Sequence, residues 1–306
     1  MQRIFVVGCP RSGTTLIQAM LARHPAIFTL PETAFFERLL GTLAWRWGDQ
    51  NALPPRRHLR DKLCHRLGLA RRRGRRALRH LQRCHGRRPS LLPRRIATCV
   101  RHFAGMLDAL AERDGCTTWI EKTPNHLLYI AEIEHYLPDA RFIHVIRPGE
   151  DVLASIADAN LAFGNPRSFG GGTVHWSRRW NRAAQIHRSH AGRPHHHFIF
   201  LQDLIDDVDG EWLRLCRFLD IAADCTLADN PGQAVADLAS EPWKHAAVNG
   251  MPHSPRSKVK SLFGPQMRHW LREQLTPYDD LRNACLRPHV HGDGEVRDLI
   301  GQSPLP

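Results

Sequence analysis

The first fifteen residues constrain the fold of this chain more than any other stretch. An apolar run from Ile4 to Val7 leads into the loop GCPRSGTT and then into a segment of helical character. A buried strand, a glycine-bounded loop and a helix form the layout of a phosphate-binding loop, in which amides at the helix start face an anion. The sequence therefore predicts an α/β fold whose first strand-helix turn binds an anion.

The loop carries several groups that suit an anion. Gly13 lets the main chain approach a ligand closely, and Arg11 adds a planar cation that fits phosphate or sulfate oxygens. The hydroxyl donors are Ser12, Thr14 and Thr15. Thr14 occupies the position where ATP- and GTP-binding loops carry lysine, which argues against a nucleoside triphosphate. An ordinary strand-helix turn is the structural alternative.

Strands and helices alternate between residues 117 and 220. The segments ARFIHVIR, TTWIEKTP and HFIFLQDL are interpreted as strands, and the segments NHLLYIAEIEHYL, GEDVLASIADA, HWSRRWNRAAQIHRSH and GEWLRLCRFLDI as helices. Continuous apolar strands of this kind are typical of parallel sheets, which are buried on both faces. The pattern predicts a central parallel sheet flanked by helices, in the α/β class.

A second anion site is predicted where the strand ARFIHVIR ends. Arg147 stands at its carboxyl end, where ligands bind in open α/β sheets, and Ser155 follows eight residues later in the next helix. We expect this pair to hold a second phosphate, distant from the one in the glycine loop. Two such sites indicate a nucleotide that carries phosphate on two different parts of the molecule.

The sequence here resembles the sulfotransferases that use 3′-phosphoadenosine 5′-phosphosulfate (PAPS), and most closely their tyrosylprotein and carbohydrate branches. PRSGTTL is similar to the 5′-phosphosulfate loop, RFIHVIRPGEDVLAS to the 3′-phosphate motif, and WIEKTPNH to a lysine-bearing segment of carbohydrate sulfotransferases. The resemblance covers roughly residues 3–40 and 117–220. It implies a P-loop nucleotide-binding fold and transfer of a sulfuryl group from PAPS, with adenosine 3′,5′-bisphosphate as product and no metal.

The resemblance also implies how the donor nucleotide is bound. The loop residues from Arg11 to Thr15 would bind the 5′-phosphosulfate, while Arg147 and Ser155 would bind the 3′-phosphate. Relatives often close the nucleotide site with a basic loop near the C-terminus, and Lys258 stands in the matching segment HSPRSKVKSLFG. The alternative for this segment is a solvated basic loop.

Three catalytic residues are implied by the same resemblance. Glu32, in the segment PET, matches the proposed general base, Lys122 matches the lysine near the sulfuryl group, and Arg11 matches the catalytic basic residue. Glu32 has the alternative role of a helix N-terminal acid beside Thr33. Lys122 has the alternative role of a structural cation, with the adjacent Glu121 as its ion-pair partner.

Histidines offer further candidates for a base. His126 and His144 are considered, although His144 lies in a strand and is interpreted as a packed residue. The run His195 to His197 precedes a strand without a helical i,i+4 spacing, so we interpret it as solvated rather than metal-binding. No metal site is predicted.

The whole chain, residues 1–306, is interpreted as one sulfotransferase-like α/β domain. Within it, residues 54–101 are dominated by arginine, carry leucines at helical spacing and are interpreted as a basic helical insertion of one or two amphipathic helices. This insertion is either a solvated face or a lid or binding site for an acidic acceptor. Residues 225–306 are irregular, apart from a helix near 264–275, and are expected to close the nucleotide site.

Composition narrows the setting in which the chain acts. The formal net charge of +13 favours anionic partners but does not choose among them. The eight cysteines include no C-x-x-C pair, so reduced thiols in a cytoplasmic protein are expected. No signal peptide and no membrane-spanning run is predicted. A homodimer is considered because the family includes dimers.

The sequence is compatible with three classes of function. The first is a sulfotransferase that acts on a hydroxyl of a carbohydrate, a tyrosine or phenol, or another small molecule. The second is a P-loop kinase or NTPase, against which Thr14 argues. The third is a basic protein that binds nucleic acid or a membrane through residues 54–101, although this stretch lacks the interleaved aromatic residues of stacking platforms.

Overall fold

A computed structural model describes residues 1–49, 52, 72–86, 95–164, 169–223, 235–236, 244–245, 247–248 and 258–287. Its centre is a sheet of five parallel strands in the order β2-β3-β1-β4-β5. The strands are β1 (Gln2–Gly8), β2 (Ile27–Thr29), β3 (Thr118–Lys122), β4 (Arg141–Ile146) and β5 (His196–Phe200). The predicted α/β class with a central parallel sheet is confirmed.

Helices connect the strands and cover the sheet. In chain order they are α1 (Thr14–Leu21), α2 (Phe35–Leu40), α3 (Leu43–Trp47), α4 (Arg72–Cys84), α5 (Ile96–Arg113), α6 (Ile130–Tyr136), α7 (Gly149–Phe163), α8 (Gly172–Ser189), α9 (Leu201–Asp206), α10 (Val208–Leu219), α11 (Val259–Leu262), α12 (Pro265–Gln274) and α13 (Tyr278–Leu286). A 3₁₀ segment, Pro124–Tyr129, follows β3. Among the described residues, no helix is both long and apolar enough to cross a bilayer.

The alternation of side chains along β1 separates two hydrophobic cores. Phe5 and Val7 belong to a large cluster that includes residues of α2, α5, α7 and α8. Ile4 and Val6 belong to a second cluster that includes residues of α1 and α10. Successive side chains of a strand point to opposite faces, so one short apolar strand anchors both helical layers. This placement fixes β1, and the loop that follows it, in the middle of the molecule.

Several boundaries differ from the sequence-based expectations. The loop AIFTLPET contains the edge strand β2, which pairs with β3 through only three residues. The strand expected over HFIFLQDL ends at Phe200, and its last residues begin α9. The helix near 264–275 is confirmed as α12, while α13 was not predicted. Short elements of this kind depend on tertiary contacts that local periodicity does not reveal.

The described part of the Arg-rich stretch forms α4 and the start of α5. Residues 53–71 and 87–94, and with them Leu63 and Leu67, lie outside the described residues. Helix α4 packs against α2, where the Cβ of any larger residue at Gly74 would come within 2.6 Å of the Leu39 Cα. This close approach makes α4 part of the layer that carries α2.

Candidate functional site

The side chains selected from the sequence meet at the carboxyl edge of the sheet. The glycine loop follows β1, Lys122 is the last residue of β3, and Arg147 directly follows β4. Strands β3 and β4 pair with β1 on its two sides, so the three groups lie next to one another. This edge is where open α/β sheets bind ligands, because the strand order reverses direction there.

The loop after β1 has a backbone that few residues can adopt. Gly13, at the N-terminal boundary of α1, has a φ of 98°. Arg11 has a φ of 73°, a left-handed value that is uncommon for a residue with a side chain. At Gly8 an added Cβ would lie 2.5 Å from the carbonyl oxygen of Val145, so the loop can pass β4 only without a side chain. Such strained positions cluster at functional sites.

The start of α1 presents donors suited to an anion. The N-cap residue of α1 is Gly13, which has no side chain to cap the first-turn amides, and the helix dipole favours negative charge there. The side chains of Ser12, Thr14 and Thr15 lie in this buried turn. Amide and hydroxyl donors gathered at a helix start form a cradle that suits a bound anion.

The residues predicted for the two anion sites are in contact with one another. Arg11 donates from Nε to the Ser155 Oγ at 3.1 Å, and Arg147 donates from Nη1 to the Arg11 carbonyl oxygen at 3.5 Å. The expectation of two distant sites is therefore wrong, because the left-handed turn at Arg11 directs its side chain towards α7. Burial lowers the pKa of Arg147, although the nearby Asp151 opposes this effect.

Glu32 contacts two lysines. Its Oε1 accepts a hydrogen bond from the Lys122 Nζ, and the Lys244 Nζ lies 2.6 Å from the same oxygen. The Lys122 side chain is fully buried, and that of Lys244 is 9% exposed. Lys244 was not identified from the sequence, because it stands more than 200 residues after Glu32 and outside every motif.

The lysines also decide the charge of Glu32. Burial alone would raise the pKa of this carboxyl group, but the two ammonium groups outweigh burial and hold its pKa below the ordinary value. Glu32 is therefore a carboxylate near neutral pH. It can accept a proton, but only as a base weakened by its cationic neighbours.

Glu121 does not pair with Lys122, so that expectation is wrong. The two residues are adjacent in β3, and their side chains point to opposite faces of the sheet. Glu121 instead accepts hydrogen bonds from the hydroxyl groups of Thr33 (2.7 Å) and Thr123 (2.6 Å). The His126 Nδ1 lies 2.8 Å from its Oε2.

This contact gives Glu121 and His126 a structural role. Burial tends to raise the pKa of Glu121, but His126 and the surrounding donors lower it to about 2. The backbone amide of Phe36 donates to the His126 Nε2 at 3.2 Å, which assigns the ring proton to Nδ1, facing Glu121. His126 is fully buried by these contacts and does not lie in position to act as a base. The cluster holds the segment PET, and hence Glu32, against β3.

Lys258 lies beside the helix that carries Ser155. Its Nζ forms an ion pair with Asp158, one turn after Ser155 in α7. Both partners are exposed, so the pair contributes little stability but places a cation near the proposed 3′-phosphate site. Lys260 is exposed, and Ser257 lies outside the described residues.

The run His195 to His197 was expected to be solvated, but only its first residue is exposed. His195 is exposed, but His196 is buried at the start of β5 and its Nδ1 lies 2.8 Å from the His144 Nε2. His144 is fully buried, as expected of a packed strand residue, and also contacts His187 at 2.9 Å. Within the described ranges, no group of three or more His, Cys, Asp or Glu residues is arranged to hold a metal ion.

Solved structures offer a distant likeness. They include the sulfotransferase domain of the Synechococcus PCC 7002 olefin synthase (17% identity, 88% of this chain, 82% of that chain, TM-score 0.41). Sulfotransferase STF9 from Mycobacterium avium is 15% identical, with 89% of this chain and 74% of that chain covered and a TM-score of 0.44. Mouse sulfotransferase SULT7A1 complexed with PAP is 12% identical, with 92% of this chain and 88% of that chain covered and a TM-score of 0.46. With TM-scores under 0.5, these similarities carry no argument about this chain.

The family is established by the sequence match. No curated protein matches this chain. The model described as the Sulfotransferase family matches residues 3–224, which is most of the chain and includes the glycine loop, Glu32, Lys122, Arg147 and Ser155. The chain therefore belongs to the sulfotransferase family, whose enzymes transfer sulfuryl groups.

Proposed function

We propose that this enzyme transfers the sulfuryl group of PAPS to a hydroxyl group of an acceptor. The observation that carries the proposal is the junction at Arg11, which joins the uncapped glycine loop to Ser155 and Arg147. A ligand with a 5′-phosphosulfate and a 3′-phosphate would need two adjoining anion sites of this kind. In this proposal Arg11 to Thr15 hold the phosphosulfate, while Arg147 and Ser155 hold the 3′-phosphate.

The residues present fit such a donor. The helix start supplies uncapped amides and buried hydroxyl groups, which suit a group with several anionic oxygens. Arg11 and Arg147 supply positive charge without a lysine at Thr14. Lys258 pairs with Asp158, which lies one turn after Ser155 in α7. Together these contacts support the proposal that residues 225–306 close the nucleotide site of a single domain.

The chain's own side chains can perform the transfer. PAPS supplies an activated sulfuryl group, whose bond to the bridging phosphate oxygen breaks as the acceptor oxygen bonds to sulfur. Glu32 accepts the proton of the acceptor hydroxyl group. Arg11 and Lys122 offset the negative charge that develops on the departing oxygen and on the sulfuryl oxygens. We propose that these cations act without a divalent metal.

The finer parts of the function are proposals as well. The acceptor is a hydroxyl of a carbohydrate, a tyrosine or phenol, or another small molecule, and the net charge of +13 favours an acidic one. A cytoplasmic location and a homodimer stay predictions.

A calorimetric titration with adenosine 3′,5′-bisphosphate tests the donor site. We expect saturable binding at sub-millimolar concentration in the presence of EDTA. Arg147→Ala should weaken this binding because it removes a half-buried cation, and Arg217→Ala, at an exposed position, serves as the matched control. No binding to the wild-type chain, or magnesium-dependent binding of ATP in its place, would contradict the proposal and favour a P-loop kinase or NTPase.

A further inference from the structure

Helix α4 carries an uninterrupted stripe of arginines. Arg72, Arg76, Arg79 and Arg83 follow one another at spacings of four, three and four residues, which places them on one face of the helix. The first and the last are about 16 Å apart along the axis at 1.5 Å per residue. Three of the four are exposed and Arg79 is half-buried. We call these four residues the arginine stripe.

The other face of α4 is already covered by the protein. Gly74, Ala77 and Leu78 are buried, and Leu81 packs against the same hydrophobic core. This face lies against α2, where Gly74 meets Leu39. The apolar side of α4 is therefore not available to enter a lipid bilayer, which amphipathic membrane helices require.

The arginine stripe has no acidic neighbour within the described part of the chain. None of the described ion pairs includes an arginine of α4, and the helix itself contains no Asp or Glu. Arg38, in the last turn of α2, is also exposed and adds to this positive surface. Unbalanced charge of one sign attracts a partner of the opposite sign.

Helix α4 packs on α2, the helix that follows the proposed base Glu32. Helix α2 begins at Phe35, three residues after Glu32, and its contact with α4 at Leu39 lies about 6 Å further along the helix axis. The helix that carries the arginine stripe is therefore linked by direct packing to the helix that follows the proposed base.

We propose that the arginine stripe of α4 is the docking surface for an acidic polysaccharide that serves as the acceptor, an inference that rests on the proposed function. Evenly spaced arginines suit a polymer with evenly spaced carboxylate or sulfate groups, which guanidinium groups bind in pairs of hydrogen bonds. Each repeat of such a polymer also offers hydroxyl groups to the site. Single-stranded nucleic acid fits less well, because α4 contains no Phe, Tyr or Trp for base stacking.

The test measures binding of a dextran sulfate oligosaccharide to the full chain by fluorescence anisotropy. The triple variant Arg76→Gln, Arg79→Gln, Arg83→Gln removes most of the stripe and keeps a good helix former at each position. Arg182→Gln, Arg188→Gln, Arg217→Gln removes the same charge from exposed positions on α8 and α10. We expect the first variant to bind the oligosaccharide at least about tenfold more weakly than the wild type. Its plot of log binding constant against log salt concentration should have a slope that is smaller by about two. The control variant should bind almost as the wild type does.

Equal losses in both variants, or no loss in the first, would overturn the proposal, since net charge alone or another surface would then be responsible. Tighter binding of poly-glutamate, poly(U) RNA or phosphatidylserine vesicles than of dextran sulfate at equal charge would overturn the choice of partner. Adenosine 3′,5′-bisphosphate is titrated into the same proteins. Retained nucleotide binding with unchanged polysaccharide binding rejects only the docking surface, whereas absent nucleotide binding in the wild type rejects the proposed function.

Discussion

Glu32 shows how a single residue combines two opposing requirements. A general base is most effective with a pKa near the working pH, yet two ammonium groups hold the pKa of Glu32 below its ordinary value. The same lysines keep the Glu32 side chain ionised and hold it beside the end of β3, the strand that carries Lys122. We therefore expect position and charge, rather than basicity, to be what the site gains from Glu32.

Replacing this carboxylate should affect the reaction more than donor binding. In Glu32→Gln the acceptor proton loses its carrier, so we expect turnover of PAPS with a responsive acceptor to fall about 10²- to 10⁴-fold. The affinity for adenosine 3′,5′-bisphosphate, measured by calorimetry, should change little because the proposed nucleotide contacts lie on other residues. Glu112→Gln, at an exposed position of α5, is the control. Near-wild-type turnover in Glu32→Gln would remove Glu32 from the mechanism.

Lys244 offers a separate test that needs no acceptor. Its ammonium group is one of two that lower the pKa of Glu32, so Lys244→Met should raise that pKa. The shift can be followed by ¹³C NMR of the Glu32 carboxyl carbon during a pH titration, and the acidic limb of any activity profile should move to higher pH with it. Lys260→Met, an exposed change in the same part of the chain, should leave the titration unchanged. An unmoved midpoint in Lys244→Met would mean that the two groups do not interact in solution.

At the scale of elements, the contact between α4 and α2 depends on one glycine. Glycine is a poor helix former, and its replacement by alanine in a helix interior usually stabilises by up to about 1 kcal/mol. At Gly74 the added methyl carbon would meet the Leu39 Cα at 2.6 Å, which is backbone and cannot turn away. The packing conflict should therefore exceed the gain in helix propensity.

We expect Gly74→Ala to lower the free energy of unfolding by about 1–3 kcal/mol, as overpacking does in other cores. The matched control is Gly105→Ala in α5, where an added Cβ meets nothing within 4 Å, and this change should be neutral or stabilising. Urea unfolding followed by circular dichroism measures both. If both variants are equally stabilised, α4 does not pack on α2 as described.

On the scale of the whole molecule, a line of buried histidines links α8 to strands β4 and β5. The His196 Nε2 lies 3.0 Å from the Glu134 Oε1 and must donate to it, because a carboxylate only accepts. His196 then accepts from His144, and His144 accepts from His187, so each ring carries a single proton and is neutral. Burial, reinforced by the neighbouring imidazoles, lowers the pKa of all three histidines. The pKa of His187 falls to about 3, and that of His196 falls to about 4 although Glu134 opposes the shift.

These histidines predict that the fold is sensitive to acid. The pKa of an unfolded histidine is near 6.5, whereas burial lowers the pKa of His187 to about 3 and that of His196 to about 4, so the unfolded chain binds more protons in this interval. The free energy of unfolding should therefore decrease as the pH falls from about 6.5 towards 4. Urea unfolding at a series of pH values measures the slope, and constant stability over this range would contradict the buried arrangement.

His197 allows the effect of one such group to be isolated. Burial lowers its pKa to about 4, its Nε2 is buried with no hydrogen-bond partner among the described residues, and its ring stacks on Phe218. His197→Phe should reduce the slope of stability against pH by up to about 1.4 kcal/mol per pH unit between pH 6 and 4.5. The exposed neighbour provides the control, since His195→Phe should leave the slope unchanged. An equal slope in both variants would show that His197 titrates normally.

Much of the site could be predicted because its groups lie in local motifs. The glycine loop and Arg147 directly follow strand ends, and Ser155 lies eight residues after Arg147 in the next helix, so sequence spacing is enough to locate them. Lys122 and Glu32 were found through the resemblance to the family. The partners of Glu121, the burial of His196 and the contribution of Lys244 were not predictable, because each depends on segments that are far apart in the chain.

The sequence by itself determined the parallel α/β sheet, the family and the position of the glycine loop after β1, since these follow from apolar runs, glycines and cations at fixed local spacings. Only the tertiary structure decided that Arg11 contacts both Ser155 and Arg147, and that Glu32 is shared by Lys122 and Lys244. The physical reason is that side-chain direction follows from backbone conformation and strand pairing. A left-handed φ at Arg11 and the alternation of β3 set those directions, and neither can be read from residue types alone.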